Sequence, residues 1–261
     1  MDLSESLIHL TVQIQSECHG ATSYGTGFLF AFSSNEDDKL IPVIITNRHV
    51  VDGSSNGKLV FSLKDDEGNY VPGKTHTFQY NNFSCAWIFH PDPNVDLCVM
   101  PIHQLYEEYR PNPYSLFVSF ASEKDIPSSE EMAQFSHIEN IIVVGYPSGI
   151  IDDKHNLPLV RRGITASSLH YDFKGKPEFL IDAAIYGGSS GSPVFVYDNG
   201  CFSTGKGTMF GKRAKLVGVN RATYQHLITP EVAVPNGLGI AIHARKILDF
   251  KPLLLSKLRT E

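Results

Sequence analysis

The sequence predicts an all-β chain of two antiparallel β-barrels with a C-terminal helix. Short apolar segments bounded by turn residues recur in two halves, a proline-bearing polar stretch lies between them, and helical periodicity is confined to the end of the chain. The 261 residues exceed a typical domain of about 150 but suit one all-β unit with two cores. Hydrophobic residues make up 42% and charged residues 19%, enough to fill both.

In the first half, residues 1–105, segments rich in Val, Ile, Phe and Thr run from Leu10 to Ile14, Gly27 to Phe32, Pro42 to Thr46 and Leu59 to Leu63. Residues 106–139 form the connection, where Pro111, Pro113 and Pro127 and the run Ser128-Ser129-Glu130-Glu131 break any periodicity. Its length predicts one or two short helical turns, or a lid, rather than bare coil. The strand texture returns over residues 140–242, in Ile141 to Gly145, Phe179 to Ile181, Pro193 to Val196, Leu216 to Val219 and Gly239 to Ile242. The two halves share no sequence repeat. Over residues 243–261, Ile247, Phe250, Leu254 and Leu258 recur at helical spacing, and Pro252 is expected to kink that helix or start a second turn.

The formal net charge of −6 gives no overall positive field to draw nucleic acid, which is therefore not expected as a partner. The cations Lys206, Lys212, Arg213 and Lys215 read as a solvated loop. No run of about 18 apolar residues could span a bilayer, and Met1-Asp2-Leu3-Ser4-Glu5 lacks the basic and apolar regions of a signal peptide. A cytoplasmic protein with no membrane partner is the expectation. Cys18, Cys85, Cys98 and Cys201 lie far apart without a CxxC pair, so buried or inert free thiols are expected rather than a zinc cage or a disulfide framework.

The strongest chemical signal is Gly187-Gly188-Ser189-Ser190-Gly191-Ser192-Pro193, a turn of small residues leading into the apolar segment Val194-Phe195-Val196. Without a Cβ, glycines let backbone N–H groups turn inward and let a substrate carbonyl come close. Ser190 is the candidate nucleophile there. Gly188, Ser189 and Ser190 form the candidate oxyanion hole, with the Gly188 and Ser190 N–H groups facing the developing charge. A serine needs a base, and Ile44-Ile45-Thr46-Asn47-Arg48-His49-Val50-Val51 places His49 just after an apolar strand. The base needs an acid to hold its tautomer. Asp96, between Val95 and Leu97, is a carboxylate that cannot be buried cheaply without a partner, and His49 is the expected one.

Taken in the order His, Asp, Ser, these three segments resemble those of the trypsin-like (chymotrypsin-fold) serine peptidases, with a texture similar to bacterial HtrA-type members. Asp96 stands 47 positions after His49 and 94 before Ser190. The resemblance extends to Tyr24-Gly25-Thr26-Gly27-Phe28, Val144-Gly145-Tyr146-Pro147-Ser148-Gly149, Leu216-Val217-Gly218-Val219-Asn220 and Asn236-Gly237-Leu238-Gly239-Ile240-Ala241-Ile242, running from about Thr11 to Ile247. It implies two six-stranded barrels, a serine endopeptidase acting on protein or peptide substrates through an acyl-enzyme, and no metal or organic cofactor. It also implies a specificity pocket near Ala184, Asn220, Arg221, Thr223 and Gly239, without a charge at its base, and so a preference for uncharged side chains. Two departures from secreted members stand out. Ser189 occupies the place of the acidic residue that pairs with a new amino terminus on activation, and Val50 follows His49 where a disulfide-forming cysteine is common. The first implies that this activation switch is absent, and the second, with a start unlike a propeptide, implies an intracellular enzyme. A free cytosolic protease needs restraint, so control by a partner protein is expected, or activity confined to one dedicated partner or to the chain itself. The alternative reading is a catalytically silent binding module on the same fold. A cysteine hydrolase built on Cys98 or Cys85 is disfavoured, because no glycine-rich turn accompanies either thiol.

Overall fold

The computed structural model describes residues 2–34, 39–109, 115–204, 207–229 and 232–258. The first half is a nine-stranded sheet of β1 (Thr11–Cys18), β2 (Ala21–Ser33), β3 (Leu40–Thr46), β4 (Asn56–Lys64), β5 (Tyr70–Asn81), β6 (Ile88–Phe89), β7 (Cys98–Pro101), β8 (Ser115–Leu116) and β9 (Ala121–Ser122). Its ladder runs β5-β4-β1-β2-β3-β7-β6, with β8 paired to β4 and β9 to β2. The second half is a closed barrel of β10 (Asn140–Gly145), β11 (Leu159–Thr165), β12 (Glu178–Asp182), β13 (Pro193–Thr204), β14 (Gly207–Thr229) and β15 (Val232–His243), in the order β10-β11-β12-β15-β14-β13. Its six strands meet the expected number. The first half carries additional short strands, and its ladder ends at β5 and β6. Side chains from β1, β2, β3, β4, β5 and β7 nevertheless converge on one interior.

Successive residues of a strand face opposite ways, and both halves use this to build a core between them. On β2, Leu29 points into the first interior, whereas Phe28, Phe30 and Phe32 belong to a layer shared with Ile142, Val144, Phe195, Leu216 and Val219 of the second half. On β10, Ile141 and Val143 fill the second interior, and Ile142 and Val144 join the shared layer. Strands buried on both faces read as continuous apolar runs, as Pro42-Val43-Ile44-Ile45 does. The fold therefore has three cores, one inside each half and one between them.

The chain end seals the shared layer. A 3₁₀ helix over Ala244–Phe250 passes into an α-helix over Lys251–Leu258, burying Ile247, Phe250 and Leu254. Pro252 sits at the second position of the α-helix, where its missing N–H removes no bond, so it starts the second helix. The connection contains helices at His103–Tyr109 and Ser129–Met132 and a 3₁₀ turn at Glu123–Asp125. An unanticipated helix, Leu3–Ile8, is capped by Asp2, which accepts the Glu5 N–H at 2.8 Å while Glu5 reaches back to the Asp2 N–H.

One expectation needs correction. The cationic stretch is not a solvated loop, because residues 199–204 pair with 207–212 in a regular hairpin. Lys206 lies outside the described residues. Arg213 is largely buried, contacts Asp198 through Nε at 2.8 Å and Glu139 at 2.5 Å, and lies over the rings of Phe202 and Phe135. Lys215 pairs with Glu131 at 2.6 Å. All four cysteines are free, as expected, with Cys98 buried and Cys85 and Cys201 exposed. Among the described residues no helix is long and apolar enough to cross a membrane.

Candidate active site

His49 sits on a single helical turn, Arg48–Val51, that follows β3 directly. Val50 and Val51 are buried, which anchors the turn and leaves the His49 ring about half exposed at its edge. Asp96 lies just before β7 between Val95 and Leu97, both buried in the shared layer. Its carboxylate meets His49 twice: Oδ2 lies 2.6 Å from Nδ1, and Oδ1 accepts the His49 backbone N–H at 3.0 Å. Two contacts fix both the position and the roll of the imidazole. With Nδ1 turned to the carboxylate, Nε2 is the nitrogen left to accept a proton. Asn47, fully buried, adds a third tie by donating from Nδ2 to the Asp96 carbonyl at 2.8 Å.

Ser190 lies on the turn between β12 and β13. Gly188 and Gly191 have φ of +82° and +86°, the left-handed region that favours glycine. The Ser190 hydroxyl donates to the Arg221 carbonyl at 3.0 Å. Among the described residues no hydrogen bond joins it to the His49 ring, so the structure brings His49 and Asp96 together directly and leaves Ser190 turned to its own half. The Ser189 N–H is not available to an oxyanion, since it donates to the Tyr186 carbonyl at 3.1 Å and closes the turn. No acceptor among the described residues takes the Gly188 or Ser190 N–H.

The five pocket residues do not act alike. Ala184 is exposed, and Thr223 stands opposite Gly239 in the β14–β15 ladder. A Cβ on Gly239 would lie 2.8 Å from Ile185, a buried residue that the sequence reading missed. The Arg221 guanidinium turns to Glu178 at 3.1 Å. Asn220 is fully buried and grips the nucleophile turn, while its Oδ1 lies 3.2 Å from where a Cβ on Gly239 would stand. Its Nδ2 donates to the Ser189 carbonyl at 2.8 Å, its N–H to the Ser192 carbonyl at 2.8 Å, and its own carbonyl accepts the Gly191 N–H at 2.8 Å. The alternative nucleophile Cys98 is buried, and desolvation together with the charge of Asp96 raises its thiol pKa well above the usual range, away from the reactive thiolate.

Residues 25–202 match the family model of the trypsin-like peptidase domain, which covers more than half of the chain. The chain belongs to the trypsin-like peptidase family. Solved structures similar to this trypsin-like peptidase include the HtrA-type protease AlgW with a tripeptide, at 17% identity and TM-score 0.56 over 97% of this chain and 62% of that one. The serine endoprotease from Yersinia pestis aligns at 16% identity and TM-score 0.52, over 97% of this chain and 65% of its own. The catalytically active tobacco etch virus protease complexed with product aligns at 14% identity and TM-score 0.51, over 92% and 75%. At these identities the likeness is one of fold, and this peptidase spans less than two thirds of the AlgW and Yersinia pestis chains. Among curated proteins no sequence matches it.

Proposed function

We propose that this peptidase is a serine endopeptidase that cleaves protein or peptide substrates with Ser190 as nucleophile, His49 as base and Asp96 as the group that orients it. The observation that carries this reading is the double contact of Asp96 with His49, which fixes the ring and leaves Nε2 free of the carboxylate. Ser190 Oγ bonds to the peptide carbonyl carbon as its proton passes to His49 Nε2. The C–N bond then breaks, and the same proton leaves with the amine. Water attacks the resulting ester, giving a proton to His49; the acyl C–O bond breaks and that proton returns to Ser190. The Gly188 and Ser190 N–H groups serve the oxyanion in both halves, and losing one such donor costs about 3 kcal/mol of barrier. The chemistry calls for no metal or cofactor. To serve as nucleophile the Ser190 hydroxyl has to leave the Arg221 carbonyl, and apo sites commonly tighten only around substrate.

A cytoplasmic setting, control by a partner protein and a preference for uncharged side chains complete the proposal. The second reading, a silent binding module, is favoured by one observation, the bond from Ser190 to Arg221 rather than His49. A fluorophosphonate probe separates the two. Labelling of wild type and not of Ser190→Ala supports the peptidase, whereas no labelling of either favours the module or an unactivated state.

A further inference from the structure

Thr26 lies in β2 between Gly25 and Gly27 and is fully buried. Its polar atoms bind the other half and the strand that leads to His49. The Thr26 N–H donates to the Ser190 carbonyl at 2.9 Å. Its hydroxyl donates to the Gly188 carbonyl at 3.0 Å and accepts the Tyr146 N–H at 3.0 Å. Its own carbonyl accepts the Thr46 hydroxyl at 2.7 Å, three residues ahead of His49.

We infer that Thr26 is the positioning residue that fixes the nucleophile turn of the second half against the His49 strand of the first. The inference rests on the serine-peptidase reading and adds to it a residue that touches neither substrate nor His49. Holding the Gly188 carbonyl fixes the peptide plane just before Ser189, and holding the Ser190 carbonyl fixes the plane just after Ser190. Asn220 Nδ2 holds the Ser189 carbonyl between them. Three consecutive peptide planes are thereby set, and with them the Cα–Cβ direction of Ser190 and the aim of its N–H. The shortest bonded path between the two catalytic segments runs Thr46, Thr26, Ser190.

Two glycines make room for this contact. A Cβ on Gly191 would fall 1.9 Å from the Thr26 carbonyl oxygen, and one on Gly145 would fall 2.6 Å from its hydroxyl. The hydroxyl cannot be replaced by shape alone. Valine fills the same volume but leaves the Tyr146 N–H and the Gly188 carbonyl buried without partners, whereas serine keeps both bonds.

The test compares wild type, Thr26→Val and Thr26→Ser by kcat and KM on a peptide substrate, by the rate of fluorophosphonate labelling, and by amide hydrogen exchange over residues 186–192. The expected result for Thr26→Val is a kcat and labelling rate lower by on the order of 10²-fold, the loss typical of a reacting group displaced by about 1 Å, with KM nearly unchanged. Faster exchange confined to residues 186–192 should accompany it, and Thr26→Ser should restore most of each. A loss of packing alone would lower the melting temperature without splitting kcat from KM. The inference is overturned if Thr26→Val folds and neither labelling nor local exchange changes, if Thr26→Ser loses as much as Thr26→Val, or if Thr26→Val unfolds the whole chain. Failure of wild type to label at Ser190 would instead count against the peptidase reading and for the module or an unactivated state, and the exchange measurement would still decide whether Thr26 holds the turn.

Discussion

His243, at the end of β15, gives the fold a dependence on pH that can be worked out in advance. Its side chain is about 2% exposed, its ring centroid lies 5.0 Å from that of Phe179, and neither ring nitrogen has a well-aligned hydrogen-bond partner among the described residues. Burial is the main force holding its pKa down to about 4, helped by Arg245 and opposed by Asp172, whose carboxylate stands 3.5 Å from Nε2. The unfolded chain takes up a proton on this residue near its ordinary value of 6.5, and the native state does not until about 4. Between those values the unfolded state binds the extra proton, so stability rises with pH there and is lost as pH falls, by about 1.4 kcal/mol per pH unit. The full loss below pH ~4 is about 3 kcal/mol. Guanidinium unfolding of wild type and His243→Phe at about pH 7 and about pH 5 isolates this share from the other histidines. Wild type should lose about 2 kcal/mol more than the variant on acidification. Equal losses in the two proteins would refute the reasoning.

Asp96→Asn keeps the size of the side chain but offers His49 an amide in place of a double acceptor, so the ring should settle in the wrong tautomer; kcat is expected to fall about 10⁴-fold with KM little changed, measured by steady-state kinetics. Arg213→Met should destabilise the fold by about 3–5 kcal/mol, because it strands Glu139 and Asp198 as buried, uncompensated carboxylates. Calorimetry should show a fall in melting temperature of roughly 6–20 °C, against almost none for the exposed Lys212→Met. Gly191→Ala combines a left-handed backbone with a collision against Thr26, and should cost about 2–4 kcal/mol in a denaturant titration, with labelling of Ser190 lost in step.

Where burial follows the chain, the sequence announces it. Phe28, Phe30 and Phe32 against Leu29, or Ile142 and Val144 against Ile141 and Val143, show as apolar runs because both faces are covered. Strand β5 gives no such signal, since Phe78 is its one buried residue and the rest alternate polar groups toward solvent. The helix Leu3–Ile8 is too short for periodicity, and Asp2 with Glu5 was its legible mark. Arg213 looked solvated because its carboxylates lie elsewhere in the chain, Glu139 being 74 residues away. The segments around His49, Asp96 and Ser190 each carry a local pattern, which is why they could be named. The grip of Asn220 on the nucleophile turn shows in no local pattern, because its partner Ser189 lies 31 residues away. Thr26 left a faint trace, a polar residue between two glycines just ahead of the apolar run Phe28 to Phe32, whose meaning depends on a contact 162 residues away.

Under the proposed reading, the parts of the site differ in how firmly they are held, and the difference says where control can act. His49 and Asp96 come from one half and share two hydrogen bonds, with Asn47 behind them. The backbone of the serine turn is pinned by Asn220 from its own half and Thr26 from the other. What remains is the Ser190 hydroxyl, held by one neutral hydrogen bond to Arg221, and a bond of that kind has a net worth of about 1 kcal/mol. So small a term cannot keep an enzyme silent, since it changes a population by about fivefold. A partner that switches this peptidase on or off by a large factor therefore has to act elsewhere. Within the site itself, the Ser148 N–H donates to the Gly187 carbonyl, and thereby orients the peptide whose other end is the Gly188 N–H. Turning that one peptide would replace an oxyanion donor by a carbonyl oxygen, a change worth more than the serine rotamer and reached without moving either barrel.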